Sequence, residues 1–568
     1  MRLFATGASV RAARSARLAT SHRLTQSTFP SAVASCGVRY QRTQAAYQST
    51  NAFPHQSVQQ PRWETDPSKT ARTREDVGAG ERNDFRSKLG RGPRNTVLRD
   101  GDLTGANVAG NAFIFDSTTN LSPSILQLID RKLYDISNHP LCITRKLIES
   151  VFSSPDYINH TVPDPVVTTK DNFDDLGFPA DHPGRSRTDT YYVDSSHVLR
   201  THTSAHQNQA FEKLKESKNH YGYTICADVY RRDSIDQSHF PVFHQMEGAR
   251  CWTRMRHVIA RYEALVMRRN KIRRDIEKLP KHDLDVVENA PAFDLERNPP
   301  QPEHDEEEVT LMVDHLKKSL EVLVDRVFTA AKQAGVGGDE LKDKPLQVRW
   351  VEAYFPFTSP SFELEVYWQG QWLELLGSGI VQQPILNHNG LTDQVGWAWG
   401  LGIERLAMVL FGIPDIRLFW STDERFLSQF QEGKVTRFVP FSKYPACYKD
   451  VAFWIPSAPA GASPMQAQSD AGVAAAAGGD STKASPSETQ PAAFHENDVM
   501  ELVRDVGGTL VEDVRLVDEF VHPKSGRKSL CYRINYRSLE RTLTNEETND
   551  LHAQVQRGLE ERLGVTLR

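Results

Sequence analysis

Two short stretches carry residue types that suit chemistry on a nucleotide. Tyr230-Arg231-Arg232-Asp233 ends an apolar run, a polar loop follows over residues 234–241, and residues 242–247 read as a returning strand. With a period of two, Phe243, Gln245 and Glu247 share one face of that strand. An aromatic, an amide and a carboxylate in a row are costly in a plain core, but they suit a small zwitterion beside a nucleotide. The aromatic can stack on a base, Arg231 can hold a phosphate through its planar fork, and Glu247 can hold an ammonium group. On pattern alone, a half-exposed hairpin with a solvated polar face describes the stretch better. The second stretch, Gly400-Leu401-Gly402-Ile403-Glu404-Arg405, enters a helix whose buried stripe is Ile403, Leu406, Ala407 and Leu410. Arg405 lies off that stripe near the helix start, where its charge and the free backbone amides can meet an anion. The bland alternative is that Gly-x-Gly permits tight packing and Arg405 is solvated, since so short a glycine pattern says little by itself.

The elements around these stretches follow from periodicity. Apolar Ile143, Leu147 and Val151 recur every four positions and mark an opening helix. Over 361–368, Phe362, Leu364 and Val366 alternate with Glu363, Glu365 and Tyr367, and Gln369-Gly370 turns the chain into 371–376, which makes a hairpin. The charged run 268–308 reads as a helix entering an exposed loop, followed by an amphipathic helix over 311–331. Beyond residue 440 the order is strand 448–454, helix 496–506, strands 509–516 and 530–536, helix 545–563 and a last short strand, the βαββαβ order of a ferredoxin-like sandwich. Thr544 with Glu547 forms a capping box for the final helix, Leu551, Val555 and Leu559 line one side of it, and Gly564 ends it. An insert at 457–493, dominated by Ala, Ser, Pro, Gly and Gln, cannot bury enough apolar surface to fold alone.

Composition bounds the rest. With 568 residues, 39% hydrophobic and 25% charged, the chain can bury one large core and a second smaller one. No stretch approaches the roughly 20 apolar residues of a membrane-spanning helix, so no membrane partner is expected. The six cysteines are far apart and read as reduced structural thiols. Residues 1–62 hold eight arginines, no lysine and no acidic residue, the pattern of a mitochondrial transit peptide; a disordered basic tail touching RNA is the alternative. Removing those eight charges takes the net charge from -5 to -13, so any RNA contact must come from local basic patches. Residues 63–120 read as linker, with the catalytic domain over 121–440 and the ferredoxin-like domain over 441–568.

Taken together, these motifs resemble those of the phenylalanine-specific class II aminoacyl-tRNA synthetases. That family's motif 2 is an arginine-bearing strand, loop and second strand, and its motif 3 is Gly-x-Gly-x-Glu-Arg at a helix start. The likeness covers most of 126–568. It includes Val166-Val167-Thr168-Thr169, Pro179-Ala180-Asp181-His182-Pro183, the run LRTHTSAHQ at 199–207, DVYRRD at 228–233, FHQME at 243–247, YFPFTSP at 354–360, Trp372-Leu373-Glu374, and GIERLAMVLFGIPDIRLFW at 402–420. From Ser442-Lys443-Tyr444-Pro445 onward the chain resembles the family's anticodon-binding domain, and this fusion in one chain is the mitochondrial form.

The resemblance implies an α+β fold, in which an antiparallel-sheet catalytic domain precedes the ferredoxin-like anticodon-binding domain. It also implies a phenylalanine–tRNA ligase of the mitochondrial matrix. Such a ligase is a monomer that uses ATP and Mg2+ to activate phenylalanine and charge tRNA(Phe). Arg231 would grip the ATP α-phosphate and the substrate carboxylate, with adenine held between Phe243 and Arg405. His202, Ser204, Ala205, His206 and Gln207 would line the amino-acid pocket, with Gln245 and Glu247, flanking Met246, on the amino group. Ser238, His239 and Phe240 belong to the loop over ATP, and Glu374 would be the Mg2+ or nucleotide-side carboxylate. Phe355 and Phe357 would meet the substrate ring edge to face, worth about 0.5–1.5 kcal/mol per pair; either could equally be ordinary core, and His202 with His206 could be packing residues. Trp399 stands where the family has phenylalanine and would tighten the pocket wall beside Ala398. Asp233 replaces the glutamate of many class II enzymes. Arg533, Asn535 and Arg537, with Lys524, Arg527 and Lys528 nearby, form the best local patch for tRNA phosphates, or else a solvated sheet face. A catalytically inactive synthetase-like RNA-binding protein is the alternative; such relatives tend to lose the motif arginines, which this chain keeps. A ligase for another amino acid is a third reading, for which Trp399 alone speaks.

Overall fold

The computed structural model describes residues 79–217, 219–253, 261–337, 344–441, 444–456 and 494–568. The arginine-rich segment 1–62, the insert 457–493 and Ser442-Lys443 lie outside the described residues. The motif stretches belong to one eight-stranded sheet. Its central strands are Gln347–Phe355 and five labelled here β1 (Gly222–Tyr230), β2 (Val242–Thr253), β3 (Thr358–Trp368), β4 (Gln371–Val381) and β5 (Gln394–Gly402). Across the sheet the order is Gln347–Phe355, β3, β4, β5, β2, β1, all antiparallel as expected. The two outermost strands, Asp285–Asn289 and Tyr157–Thr161, join in parallel and were not foreseen.

One face of this sheet is a continuous core. Met246 and Trp252 of β2, Phe362, Leu364 and Val366 of β3, and Trp397, Trp399 and Leu401 of β5 pack there against helices Pro140–Val151, Glu306–Gln333 and α1 (Ile403–Phe411). The expected alternation of β3 therefore holds, with its glutamates turned to the other face. The β3–β4 turn is two residues long, and Gln369 (φ 49°) and Gly370 (φ 83°) both take the left-handed conformation that such tight hairpins require. Helices Gln207–Glu216 and Gln383–His388 cover one end of the second face.

The expected linker over 63–120 is corrected from residue 79 onward. Helix Ala79–Arg91 packs on a three-stranded antiparallel sheet of Thr96–Asp100, Leu103–Val108 and Asn111–Ile114. Four dispersed apolar residues, Phe85, Leu89, Leu103 and Ile114, close its core. The helix comes so near that a Cβ on Gly105 would lie 2.8 Å from Leu89 Cδ1. So small a core leaves only a faint periodic signal among arginines, aspartates and glycines.

The C-terminal domain matches its expected order. Strands Cys447–Trp454, Val511–Val521, Lys528–Tyr536 and Thr566–Leu567 form one sheet with Lys528–Tyr536 and Cys447–Trp454 central. Helices Glu496–Gly507 and Asn545–Leu563 pack over it through Val499, Leu502, Val503, Val555 and Leu559. The capping box of Thr544 and Glu547 is formed, and Gly564 ends the helix at φ 61°. Thr544→Ala should destabilise Asn545–Leu563 by about 1 kcal/mol, seen as faster amide hydrogen exchange in that helix; unchanged exchange would contradict the capping role.

Candidate active site

β1 delivers Arg231 and β2 returns with the aromatic and polar face. In their register Tyr230 faces Val242 and Ala227 faces Gln245, so Val242, His244 and Met246 point into the core while Phe243, Gln245 and Glu247 point to the open face. The Arg231 backbone N–H donates to Pro241 O (3.0 Å) and its Nε to Thr201 O (2.8 Å), placing the guanidinium carbon 5.2 Å from the Phe243 ring. Burial works against the Arg231 charge and Asp233 works for it.

β5 brings the second stretch alongside. Gly402 faces Gln245 and Gly400 faces Glu247, while on the far side Gly377 of β4 faces Gly400, and Glu363 of β3 faces Gly377. Two glycines thus floor a trough between two carboxylates. A Cβ at Gly402 would meet nothing within 4 Å, so the space above it is open. The trough is narrowed at Gly377, where a Cβ would lie 2.6 Å from the Phe355 ring. α1 begins directly after Gly402 with no side-chain cap, and Arg405 in its first turn donates from Nη1 to Glu374 O (2.9 Å). Phe243 and Arg405 therefore stand on adjacent strand and helix ends beside the trough. His239 of the loop lies close enough for the Arg405 charge to oppose its protonation, although its bond to Asp236 (2.7 Å) raises its pKa overall.

The other end of the trough has the geometry of an ammonium site. Glu247 Oε2 accepts from Ser204 Oγ (2.7 Å) and Thr203 Oγ1 (2.9 Å), and Gln245 Oε1 accepts from Thr203 N (3.3 Å). Burial pushes Glu247 up to about 7 against the pull of those hydroxyls. Beyond it stand aromatic rings. Phe178 stacks on His202 (5.6 Å, 5°), and Phe357 lies 6.4 Å from Phe178 and 5.9 Å from Phe355. Burial and the nearby Arg231 charge hold His202 down at about 3, so its ring is neutral. Thr203 and Phe178 were missed from sequence, although Thr203 sits inside LRTHTSAHQ and Phe178 directly precedes the matching Pro179.

Several expected residues fall elsewhere. Trp399 is on the core face, stacked on Phe152 (5.0 Å, 29°), because it faces Gly248 and not Glu247 in the β5–β2 register. Trp399 therefore does not tighten the pocket wall, whereas its neighbour Ala398 shares the open face with Gly400 and Gly402. Met246 is core by the same alternation. Ala205 packs with Val167, Phe173 and Val198, and His206 bonds through Nε2 to the buried Arg200 (2.8 Å) behind the site. Gln207 is buried, and among the described residues its Nε2 has no hydrogen-bond partner. In the loop, Ser238 Oγ donates to Asp236 (2.7 Å) and Phe240 stacks on Trp420 (5.3 Å, 24°).

The donor set fits a divalent cation at one rim. Glu363 and Glu374 lie on the same face of neighbouring strands, and burial together with the charges of Glu374 and Glu365 pushes Glu363 up to about 7. A cation there would relieve that repulsion. Among the described residues no three His, Cys, Asp or Glu side chains gather as a ready-made metal site, so such an ion needs ligand oxygens as well.

The basic patch of the C-terminal sheet is largely neutralised. Arg533 makes two bonds to Asp450 (2.8 Å each), Arg537 bonds to Glu512 (3.1 Å), Lys528 to Glu519 (2.9 Å), and Asn535 is fully buried against Glu512. The same domain is seated on the loop after Arg231. Val514 N donates to Ile235 O (3.0 Å), Gln237 to Glu512 (2.7 Å), and Arg504 to Asp233 O (2.6 Å).

The comparisons agree with this layout. The chain matches the tRNA synthetases class II core domain (F) over 126–280 and 310–430 and the ferredoxin-fold anticodon binding domain over 489–568. It is 45% identical to the mitochondrial phenylalanine–tRNA ligase of Saccharomyces cerevisiae over 79% of this chain and 92% of that protein. It is 39% identical to the chloroplastic/mitochondrial enzyme of Arabidopsis thaliana (84% and 89% covered) and 38% identical to the mitochondrial enzyme of Mus musculus (81% and 88% covered). Gly402→Val should leave the melting temperature unchanged yet abolish ATP binding by calorimetry, because the new side chain enters empty space; retained binding would show that the nucleotide lies elsewhere.

Proposed function

This chain belongs to the phenylalanine–tRNA ligases of the class II aminoacyl-tRNA synthetases, and from that membership we propose that the trough activates phenylalanine with ATP and passes it to tRNA(Phe). The observation that carries the reading is the arrival of Arg231, Phe243, Arg405 and Glu247, from segments far apart in sequence, around one glycine-floored space. Phe243 and Arg405 hold adenine between them, Arg231 meets the α-phosphate, and Gln245 and Glu247 take the amino group. Ser204 and Thr203 orient the Glu247 carboxylate. The substrate ring lies toward Phe178, Phe355 and Phe357, over Ala398.

A carboxylate oxygen of phenylalanine attacks the α-phosphorus, the new O–P bond forms, the bond to the bridging oxygen breaks, and pyrophosphate leaves. Arg231 holds attacking and attacked groups together and offsets the growing negative charge. Glu363 and Glu374 would hold Mg2+, which when bound supplies positive charge to the phosphates. A ribose hydroxyl of the tRNA terminus, the 2′ hydroxyl in this family, then attacks the acyl carbon and AMP leaves. No side chain is assigned as the base for that proton.

The relatives' names support a mitochondrial location, and we place the enzyme in the matrix. Core and anticodon-binding domains in one chain favour a monomer, testable by sedimentation. Nothing favours the inactive alternative.

Arg405→Ala should abolish phenylalanine-dependent exchange of labelled pyrophosphate into ATP, whereas deletion of 457–493 should leave it nearly intact. Exchange by the Arg405 variant at the wild-type rate would remove the adenine clamp from the reading. Since a raised carboxyl pKa favours the neutral form and an ammonium ligand requires the charged one, KM for phenylalanine should rise as pH falls below about 7. Glu247→Gln should flatten that profile and weaken phenylalanine at high pH; a profile identical to the wild type would assign the titration to another group.

A further inference from the structure

The two groups placed on either side of adenine, Phe243 and Arg405, each have a buried neighbour in sequence, His244 and Glu404. His244 is 0% exposed and Glu404 2%. These buried neighbours are bonded to each other twice. The His244 backbone N–H donates to Glu404 Oε2 (2.8 Å), and the ring Nδ1 lies 2.5 Å from Glu404 Oε1. In the tautomer with its proton on Nδ1, the ring donates the second bond to Glu404 Oε1. Glu404 lies in the first turn of α1, where its carboxylate would ordinarily serve its own helix amides. It reaches into β2 instead.

The connection continues toward the loop. The His244 ring stacks on Trp420 (5.8 Å, 18°), and Trp420 stacks on Phe240 of the loop (5.3 Å, 24°). Arg131 covers Trp420 from another side, its guanidinium carbon 5.4 Å from the ring and its Nη1 donating to Trp420 O (2.7 Å). Tyr134 meets His244 edge-on at 5.4 Å. A buried carboxyl group held by two bonds from a single residue tolerates little displacement, because losing either bond leaves an unsatisfied group in the core.

We propose, resting on the reading above, that the His244–Glu404 pair is the positioning device that sets the gap between Phe243 and Arg405, and that the Trp420–Phe240 stack ties the nucleotide loop to it. Neither member touches the nucleotide. The pair acts through the residues beside it, one peptide unit away on each side. Its effect therefore falls on ATP and spares phenylalanine, which is held at the Glu247 end of the trough.

The test uses the full chain with Glu404→Gln, His244→Phe and His244→Asn. Glutamine turns one acceptor into a donor, phenylalanine keeps the stack without the Nδ1 donor, and asparagine restores a donor near the Nδ1 position without the stack. The readouts are ATP binding by calorimetry, KM for ATP and for phenylalanine in pyrophosphate exchange, and the melting temperature. Glu404→Gln and His244→Phe should raise KM for ATP by about tenfold with KM for phenylalanine nearly unchanged, and His244→Asn should recover most of the loss. A wild-type protein that neither binds ATP nor exchanges pyrophosphate sinks the ligase reading. A competent wild type whose variants keep normal KM for ATP, or lose both substrates in parallel with a lowered melting temperature, sinks the positioning role. Should Glu404→Gln not fold, the His244 variants decide alone, and an asparagine variant no better than phenylalanine also overturns the proposal.

Discussion

Nine positions of β2 face nine of β5, and in that register the side-chain-free positions of β5 fall opposite the functional positions of β2. The site depends on this pairing. A shift of one residue would exchange the two faces of either strand, putting Trp399 against Glu247 and turning the trough into core. What prevents the slip is the apolar set on the other face, where Met246, Trp397, Trp399 and Leu401 are all buried. The same tryptophans that take no part in the chemistry thus enforce the alignment that makes it possible. Gly248 contributes by leaving room for the Trp399 ring, which a Cβ there would meet at 2.9 Å.

Much of this was legible in the letters, for identifiable reasons. Alternation on β3, the capping box at Thr544 and the βαββαβ order are local patterns, and each appears where periodicity placed it. The Phe243, Gln245 and Glu247 face was equally local. Trp399 adjoins Ala398 in sequence but not in the trough, because consecutive strand residues point to opposite faces. The basic patch is less free than its letters suggest, for a different reason. Arg533 and Arg537 are where the pattern put them, but their carboxylate partners Asp450 and Glu512 come from neighbouring strands that a single-segment reading does not pair. The domain of 79–114 leaves little trace in the sequence because four apolar side chains suffice to close it.

Charge in the trough is arranged by position and not by total. The chain is net negative at -5, yet it presents guanidinium groups where anions are expected and carboxylates where an ammonium or a metal ion is expected. Burial sharpens both ends in opposite senses. It opposes ionisation of Glu247 and Glu363 and of Arg231, so each gains from the arrival of an opposite charge. A site whose charges are opposed by burial is poor at stabilising its own fold and good at holding a zwitterion and a polyphosphate.

The loop between β1 and β2 has two neighbours. Phe240 lies over the catalytic core on Trp420, while Ile235 is sequestered with the apolar residues of the C-terminal domain. Any shift in how firmly that domain is held must alter the loop's freedom, and by thermodynamic reciprocity anything that quiets the loop must tighten the grip on the domain. A mutation on the far surface of the ferredoxin-like unit can therefore report as a change in nucleotide affinity, with no residue near the trough disturbed.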